Sequence, residues 1–486
     1  MRRIFRIYET SDEAGSETGE VGNMKSNYFN FKKFQDRYLI SNEQGRYYFL
    51  RPKDFEAFVK EDYAAMDPMA VEDLKDRFFL YDSEESVFVE KAMEAYRGNK
   101  QYIFNGTCLH IFVLTNACNM CCVYCQAQDS SQELKGIMDE DTARKAVEIA
   151  LQSPEHYLTF EFQGGEPLIH FEMIRFIVEY SEARKNDKEI QYSLVTNTLL
   201  LTDEMIRFFK QYDISVSTSL DGHQPLHDHN RPMRNGGGTF EIVRKNVKRL
   251  QDAGLHAGAI QTTTKQSLED PGKIIKAYLE MGFDHLFIRP LTPLGYAKEH
   301  WDEIGYEPEE FVDFYRKILR MILECNKKGL KAAEGHAGIF LRKIIAGYSD
   351  NYMELRSPCG AAVGQMAYYY DGNIYTCDEG RMVAEMGDSM FCLGNVRESS
   401  YDELMDHRIC KVTCQASVLE ALPGCCDCVY HPYCGVCPVI NYASNQNIYE
   451  RQANSYRCSI YKGMLDTIFE ILFTDSEAFQ IFESWI

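Results

Sequence analysis

Leu109-His110-Ile111-Phe112-Val113-Leu114-Thr115 forms an apolar, strand-like run that leads, three residues later, into Cys118, Cys122 and Cys125. The run reads as a first β-strand, and the spacing CxxxCxxC decides the chemistry at its end. Three such cysteines do not close a four-thiolate zinc site by themselves, but they can hold three irons of a 4Fe–4S cluster. The fourth iron is then open to chelate a small molecule. The loop after a first strand is where a parallel α/β barrel places its chemistry. Tyr124, one place before the last cysteine, offers an aromatic face for a purine. On this stretch alone a second reading stays open, that of buried or zinc-binding cysteines.

Composition narrows the choice. The 486 residues can bury several cores, so two to four domains are expected. There are 73 acidic against 52 basic residues, a formal charge of −21, which would repel phosphates and argues against a nucleic-acid enzyme. Met1-Arg2-Arg3-Ile4-Phe5-Arg6 lacks an apolar segment of the secretory type, and no run of about 18 apolar residues occurs, so a soluble, cytoplasmic protein without a membrane partner is expected. Seventeen cysteines in that compartment are metal ligands rather than a disulfide framework, and they cluster at 118–125, 359–392 and 410–458.

Outward from the first strand the chain alternates. Strand-like runs at 158–162, 192–196, 214–220, 257–264 and 285–290 are separated by helical patterns at 140–152, 172–184, 203–211, 240–253 and 271–281. With Leu109–Thr115 they make six βα units, a parallel, partly open barrel over 105–330 whose strand ends line one site. Upstream, residues 1–23 read as a disordered lead-in. Residues 24–104 read as a small α+β domain, with aromatic strands at 28–31, 38–40 and 47–50, a turn at 42–45, and helices at 52–60 and 69–79. Downstream come helices at 309–327 and 336–346, a helical linker at 331–358, a cysteine-rich domain at 359–460 and a C-terminal helix at 461–486. The fold class is therefore α/β.

The strand ends carry the motifs. After strand two stands Gln163-Gly164-Gly165-Glu166-Pro167, where two glycines let backbone approach a ligand and a carbonyl or carboxylate can accept from an ammonium group. After strand three, Thr196 and Asn197 suit ribose hydroxyls. Strand four ends in Ser219-Leu220-Asp221-Gly222, and beyond it stand His227-Asp228, which read as structural hydrogen-bonding groups, and Arg231. Past the barrel, Cys359 precedes Gly372 by twelve intervening residues and Cys377 comes after four more; then come Cys425-x2-Cys428-x5-Cys434-x2-Cys437 and, after a gap, Cys458. A zinc knuckle is the structural alternative for that pattern.

In order and spacing these motifs resemble the radical S-adenosylmethionine (SAM) superfamily, with a C-terminal domain that resembles SPASM. In that superfamily the open iron takes the amine and carboxylate of SAM, and Gly-Gly-Glu-Pro serves the amino group. Similarity to the sulfatase-maturing and peptide-modifying branches implies that Ser219 and Arg231 contact the SAM carboxylate, a role for which a guanidinium is the best bidentate partner. The SPASM resemblance implies two auxiliary 4Fe–4S clusters, one on Cys425, Cys428, Cys434 and Cys458, the other on Cys359, Cys377 and Cys437. For the fourth ligand of the latter, either Cys392 supplies it or the iron stays open. Cys121, Cys410, Cys414 and Cys426 read as free thiols. Asp378, after Cys377, is a candidate base by resemblance to sulfatase maturases.

Residues 28–458 resemble most closely the His-Xaa-Ser system radical SAM maturases, on Glu161–Leu168, Ser217–Gly222, Ile288–Leu291 and Asp378–Met382. The resemblance implies reductive cleavage of SAM, hydrogen abstraction by a 5′-deoxyadenosyl radical, and an intramolecular carbon–carbon or thioether crosslink in a ribosomally made precursor peptide. Its leader would be recognised by residues 24–104, and flavodoxin or ferredoxin would donate the electron. A sulfatase-type oxidising maturase and a non-catalytic metal scaffold are the alternatives.

Overall fold

The structure, a computed structural model, describes residues 24–82, 86–128, 136–349, 351–452 and 455–486; the lead-in expected at 1–23 lies outside them. The N-terminal unit contains β1 (Met24–Ser26), β2 (Asn30–Phe34), β3 (Arg37–Ser41), β4 (Tyr47–Leu50), α1 (Pro52–Val59), α2 (Pro68–Asp76), β5 (Leu80–Asp82) and α3 (Ser86–Asn99). Strands β2, β3 and β4 form an antiparallel meander, and β1 pairs with β5. The turn between β3 and β4 closes through Gly45 N–H donating to Asn42 O, with Gly45 at φ +74° where a side chain would be strained.

The barrel comes next: β6 (Leu109–Val113), α4 (Glu140–Ala150), β7 (Tyr157–Gln163), α5 (Phe171–Glu182), β8 (Glu189–Thr196), α6 (Asp203–Gln211), β9 (Ser215–Ser219), α7 (Gln224–Asn230), α8 (Phe240–Asp252), β10 (Ala257–Thr262), α9 (Pro271–Glu280) and β11 (His285–Arg289). Strands β6 to β11 are parallel and adjacent in sequence order. Alternation along each strand explains the two faces. Leu158, Phe160 and Phe162 of β7 pack beneath helices with Ala146, Val147, Ile174 and Ile177. Glu161 and Gln163 of β7, Ser193 of β8, Ser217 and Ser219 of β9, and Arg289 of β11 fall on the other, half-buried face. The concave side of the sheet therefore carries these polar groups among apolar ones such as Val195, Ile260 and Phe287.

The remaining elements are α10 (Tyr296–Glu299), α11 (Trp301–Ile304), α12 (Pro308–Lys327), β12 (Ala333–Glu334), α13 (Gly335–Leu341), β13 (Gln365–Tyr369), β14 (Asn373–Tyr375), α14 (Asp378–Glu385), β15 (Cys392–Asn395), α15 (Tyr401–Asp406), α16 (Arg408–Gln415), α17 (Pro438–Asn445), α18 (Tyr456–Thr474) and α19 (Ser476–Glu483). Two expected boundaries change. β13 adds to β6 in parallel, Gln365 opposite Leu109 and Tyr369 opposite Val113, so the sheet has ten strands and continues through the expected break at 359. The C-terminal helix is two helices: α18 begins at Tyr456, and the Asp475 carboxylate, accepting from Glu477 and Ala478 N–H at 3.1 and 3.0 Å, stops it and caps α19. No helix among the described residues is long and apolar enough to cross a membrane.

The N-terminal unit is packed rather than tethered. Phe34 and Leu39 join the large core formed with α12 and α18, Tyr47 meets Phe469 edge-on at 5.1 Å, and Ser41 Oγ donates to Val429 O at 2.6 Å.

Candidate active site

The loop from Leu114 to Gln128 is clamped from three sides. From β7, Gly165 N–H donates to Thr115 O at 2.8 Å and Glu166 N–H to Ala117 O at 2.9 Å. A Cβ at Gly164, whose φ is +151°, would lie 2.3 Å from Thr115 O, and one at Gly165 2.3 Å from Ala117 O. This glycine pair admits the cysteine loop's own backbone. From the segment after α7, Asn230 O and Pro232 O accept from Val123 and Cys121 N–H. From α10, Tyr296 N–H lies 2.9 Å from Cys125 O and 2.8 Å from Gln128 O, over Gly295 at φ +51°.

Within this clamp Cys118, Cys122 and Cys125 are electrostatic neighbours of one another, and burial pushes the Cys118 thiol up to about 12 and raises the other two. Cys121 is exposed, which separates it from the adjacent Cys122. Three desolvated thiols in a loop braced by backbone contacts fit a group that supplies its own cationic charge, as an iron–sulfur cluster does.

Glu166 is buried, and its oxygens accept from Thr196 Oγ1 at 2.6 Å, Asn197 N at 2.8 Å and Leu168 N at 3.0 Å. Desolvation nevertheless pushes its carboxyl up to about 7. Thr196 donates its hydroxyl to Glu166, and the Asn197 amide donates to Asn119 Oδ1 at 2.7 Å, contacts that brace β7 against β8 and the cysteine loop. Pro167 opens the short turn after Glu166.

Asp221 is fully buried and gathers Tyr124 OH at 2.6 and 2.8 Å, Asn230 Nδ2 at 3.1 Å and Arg231 Nε at 3.1 Å. The Arg231 guanidinium lies 5.0 Å from the Tyr124 ring centroid. Tyr124 therefore meets Arg231 with its ring and Asp221 with its hydroxyl. Ser219 ends β9 on the concave face. His227 Nδ1 accepts from Asp221 N–H and Asp228 Oδ1 from Thr239 and Phe240 N–H, so both are structural, in line with the sequence.

The distal cysteines form two groups. Cys425, Cys428, Cys434 and Cys458 are mutual neighbours and line one cavity together with Lys462. Cys359, Cys377 and Cys437 are buried in one cluster with Val383 and Phe391. Cys377 is the N-cap of α14, its sulfur accepting from Gly380 N–H, and Cys437 is the N-cap of α17, which packs on α14. Cys392 is not brought to this trio: it pairs opposite Tyr375 on β15 and its thiol donates to Gly394 O. Among the described residues no three His, Cys, Asp or Glu groups converge on a single-ion site. Asp378, the candidate base, is bound by the buried Arg381 guanidinium.

Two features escaped sequence reasoning. Arg289 reaches Glu354 at 2.6 Å and Glu354 reaches Arg457 at 3.0 Å, a buried chain of charges from β11 to α18. Glu379, beside Asp378, is pushed up to about 7 by burial and by Glu354. The doublet Asp378-Glu379 was the only signal available for the latter.

Residues 112–278 match the family model for the radical SAM superfamily. The chain carries a radical SAM domain. The family works with a 4Fe–4S cluster and SAM, and the radical SAM domain here has the fold of solved relatives. The structure of native anSMEcpe with bound AdoMet superposes with a TM-score of 0.66 at 21% identity, covering 75% of this chain and 98% of that one. Streptococcus suis SuiB bound to S-adenosylmethionine gives 0.53 at 16%, covering 87% and 96%. By sequence, the cysteine-type anaerobic sulfatase-maturating enzyme of Clostridium novyi is 25% identical over 65% of this chain and 83% of its own length.

Proposed function

We propose that this protein is a radical SAM maturase of a ribosomally made precursor peptide, closest to the His-Xaa-Ser branch, that forms an intramolecular carbon–carbon or thioether crosslink. The observation that carries the proposal is helix α14. Its N-cap is Cys377 of the inner trio, while Arg381 and Glu385, one and two turns on, are neighbours of Cys125 in the first loop. One short helix thus separates two cysteine sets beside the concave sheet face, so chemistry started at one can be completed at the other.

Cys118, Cys122 and Cys125 would hold the SAM-binding cluster. Cys425, Cys428, Cys434 and Cys458 would hold the outer auxiliary cluster, and Cys359, Cys377 and Cys437 the inner one. When bound, the first cluster and SAM supply reductive cleavage and the power to take a hydrogen atom from an unactivated carbon. The chain's residues orient and shield. Arg231 uses Nε on Asp221 and keeps its Nη groups for the SAM carboxylate, with Ser219 beside it. Glu166 fixes the loop that carries Cys118.

Peptide substrates are supported by relatives: anSMEcpe is solved with a Kp18Cys peptide and SuiB with precursor peptide SuiA. In the N-terminal unit β2 is a sheet edge and Phe31 is 53% exposed on it, which suits an extended leader. A small electron-transfer protein, flavodoxin or ferredoxin, completes the scheme. The sulfatase-type oxidation is the second reading, favoured by the likeness to the Clostridium novyi enzyme.

Anaerobic reconstitution with iron and sulfide counting tests the proposal: three clusters require roughly eleven or twelve irons per chain. The triple change Cys118→Ala, Cys122→Ala, Cys125→Ala abolishes 5′-deoxyadenosine release under dithionite. Bound zinc in place of iron, or undiminished deoxyadenosine from the triple variant, overturns it.

A further inference from the structure

Three carboxylates stand near the inner trio, and two are committed. Glu354 is held by Arg289, Arg457 and the hydroxyl of Tyr461. Asp378 is held by Arg381. Glu379 has no ion pair and no side-chain hydrogen bond to another residue among the described residues, although it is half-buried. Its electrostatic neighbours include all three thiols, Cys359, Cys377 and Cys437. Arg289, at the end of β11, and Glu354 are its electrostatic neighbours as well.

A 4Fe–4S cluster has four iron corners, and this set offers three thiolates. Cys392 is placed elsewhere on β15. The remaining corner is open to a donor already at the site, and carboxylate oxygen is a competent iron ligand. A glutamate at the second position of a helix whose N-cap is itself a ligand is held close to that corner by the backbone it shares with Cys377.

We propose that the carboxylate of Glu379 is the fourth protein ligand of the inner auxiliary cluster. The assignment rests on the reading that Cys359, Cys377 and Cys437 hold such a cluster. An oxygen donor exchanges more readily than a thiolate, so this corner is the one a substrate sulfur or nitrogen can claim.

The test uses the full chain carrying Cys118→Ala, Cys122→Ala and Cys125→Ala, so that only the auxiliary sites load; roughly eight irons per chain are expected. In that background Glu379→Gln loses up to one iron per chain and gives the signal of a three-iron cluster on mild oxidation. Glu379→Cys keeps all eight and changes the electron paramagnetic resonance spectrum of one reduced cluster only. Unchanged iron content and spectrum in both variants overturn the ligand assignment while leaving the auxiliary clusters standing. If Glu379→Gln does not fold, Glu379→Cys decides alone, an unaltered spectrum overturning the assignment. Absence of iron from the parent triple variant fells the cluster reading, and the ligand with it.

Discussion

Gly165→Ala isolates the contact on which the cysteine loop depends. The added methyl would lie 2.3 Å from Ala117 O, 2.6 Å from Ala117 C and 2.8 Å from Asn116 O, all backbone atoms directly before Cys118. Ordinary contact begins near 3.4 Å, so the loop must retreat by about 1 Å. Overpacking of this kind costs about 1–3 kcal/mol. The retreat also stretches the Gly165–Thr115 and Glu166–Ala117 hydrogen bonds, at about 1 kcal/mol each. The sum, roughly 3–5 kcal/mol, is a large part of the ~5–15 kcal/mol available to a typical domain and leaves the chain folded with a displaced loop. Gly98→Ala is the control: it sits in α3 with nothing within 4 Å of the new methyl, and gains about 0.5–1 kcal/mol. Urea unfolding and iron bound after anaerobic reconstitution are measured on both. If Gly165→Ala matches the control in stability and iron content, the glycine pair does not brace the loop.

Arg231→Ala leaves the Asp221 charge buried and unpaired, at a cost of about 3–5 kcal/mol, whereas Arg231→Lys keeps a charge there and chiefly raises the SAM concentration needed for half-maximal cleavage; equal melting of wild type and Arg231→Ala would remove the pair from the core. Burial holds the Glu166 carboxyl at about 7 against an ordinary 4.5, so the folded chain keeps a proton that the unfolded chain releases between those values. That stabilisation is fully present below pH 4.5 and lost as pH rises through 7, by about 3 kcal/mol, and Glu166→Gln should flatten this part of the stability–pH curve; parallel curves refute it. Deleting residues 1–104 bares the partners of Phe34, Leu39, Tyr47 and Phe49 on α18, so poorly soluble protein is expected; a soluble truncated enzyme that cleaves SAM yet modifies peptide only at raised concentration would instead favour a pure recognition role.

The barrel was legible because its signals are local. Leu158 to Phe162 alternates as a strand must, and each crossover helix carries its own periodicity, so β6 to β11 fall within three residues of expectation. The spacing of Cys118, Cys122 and Cys125 marks the first thiol set, whereas the division of the distal cysteines into two sets came from the SPASM resemblance. What was not legible depends on partners far away in sequence. Nothing near Thr196 announces that Glu166, thirty residues earlier, takes its hydroxyl. Nothing near Tyr124 announces Asp221 and Arg231, about a hundred residues on. Gln365–Tyr369 gave no strand signal among its flanking cysteines and glycines, yet all five residues are buried against β6.

The chain of charges Arg289–Glu354–Arg457 explains why the boundary at 359 could not hold. Arg289 ends the last full barrel strand, Glu354 precedes Cys359 by five residues, and Arg457 immediately precedes Cys458. Each charge is therefore fixed to a different segment of the site. Buried ion pairs contribute little net stability, because desolvation offsets their attraction, but breaking one partner strands the others. Their effect here is geometric: a shift of the segment bearing Cys359 or Cys458 relative to β11 would separate charges that are largely shielded from water. The protein thus holds its distal cysteine sets to the barrel at the mouth of the sheet, and β13, paired along its whole length with β6, does the same from the opposite side of the site. A reaction that begins at Cys118, Cys122 and Cys125 and finishes at the inner trio needs that separation constant, which two independently folded domains on a linker would not provide.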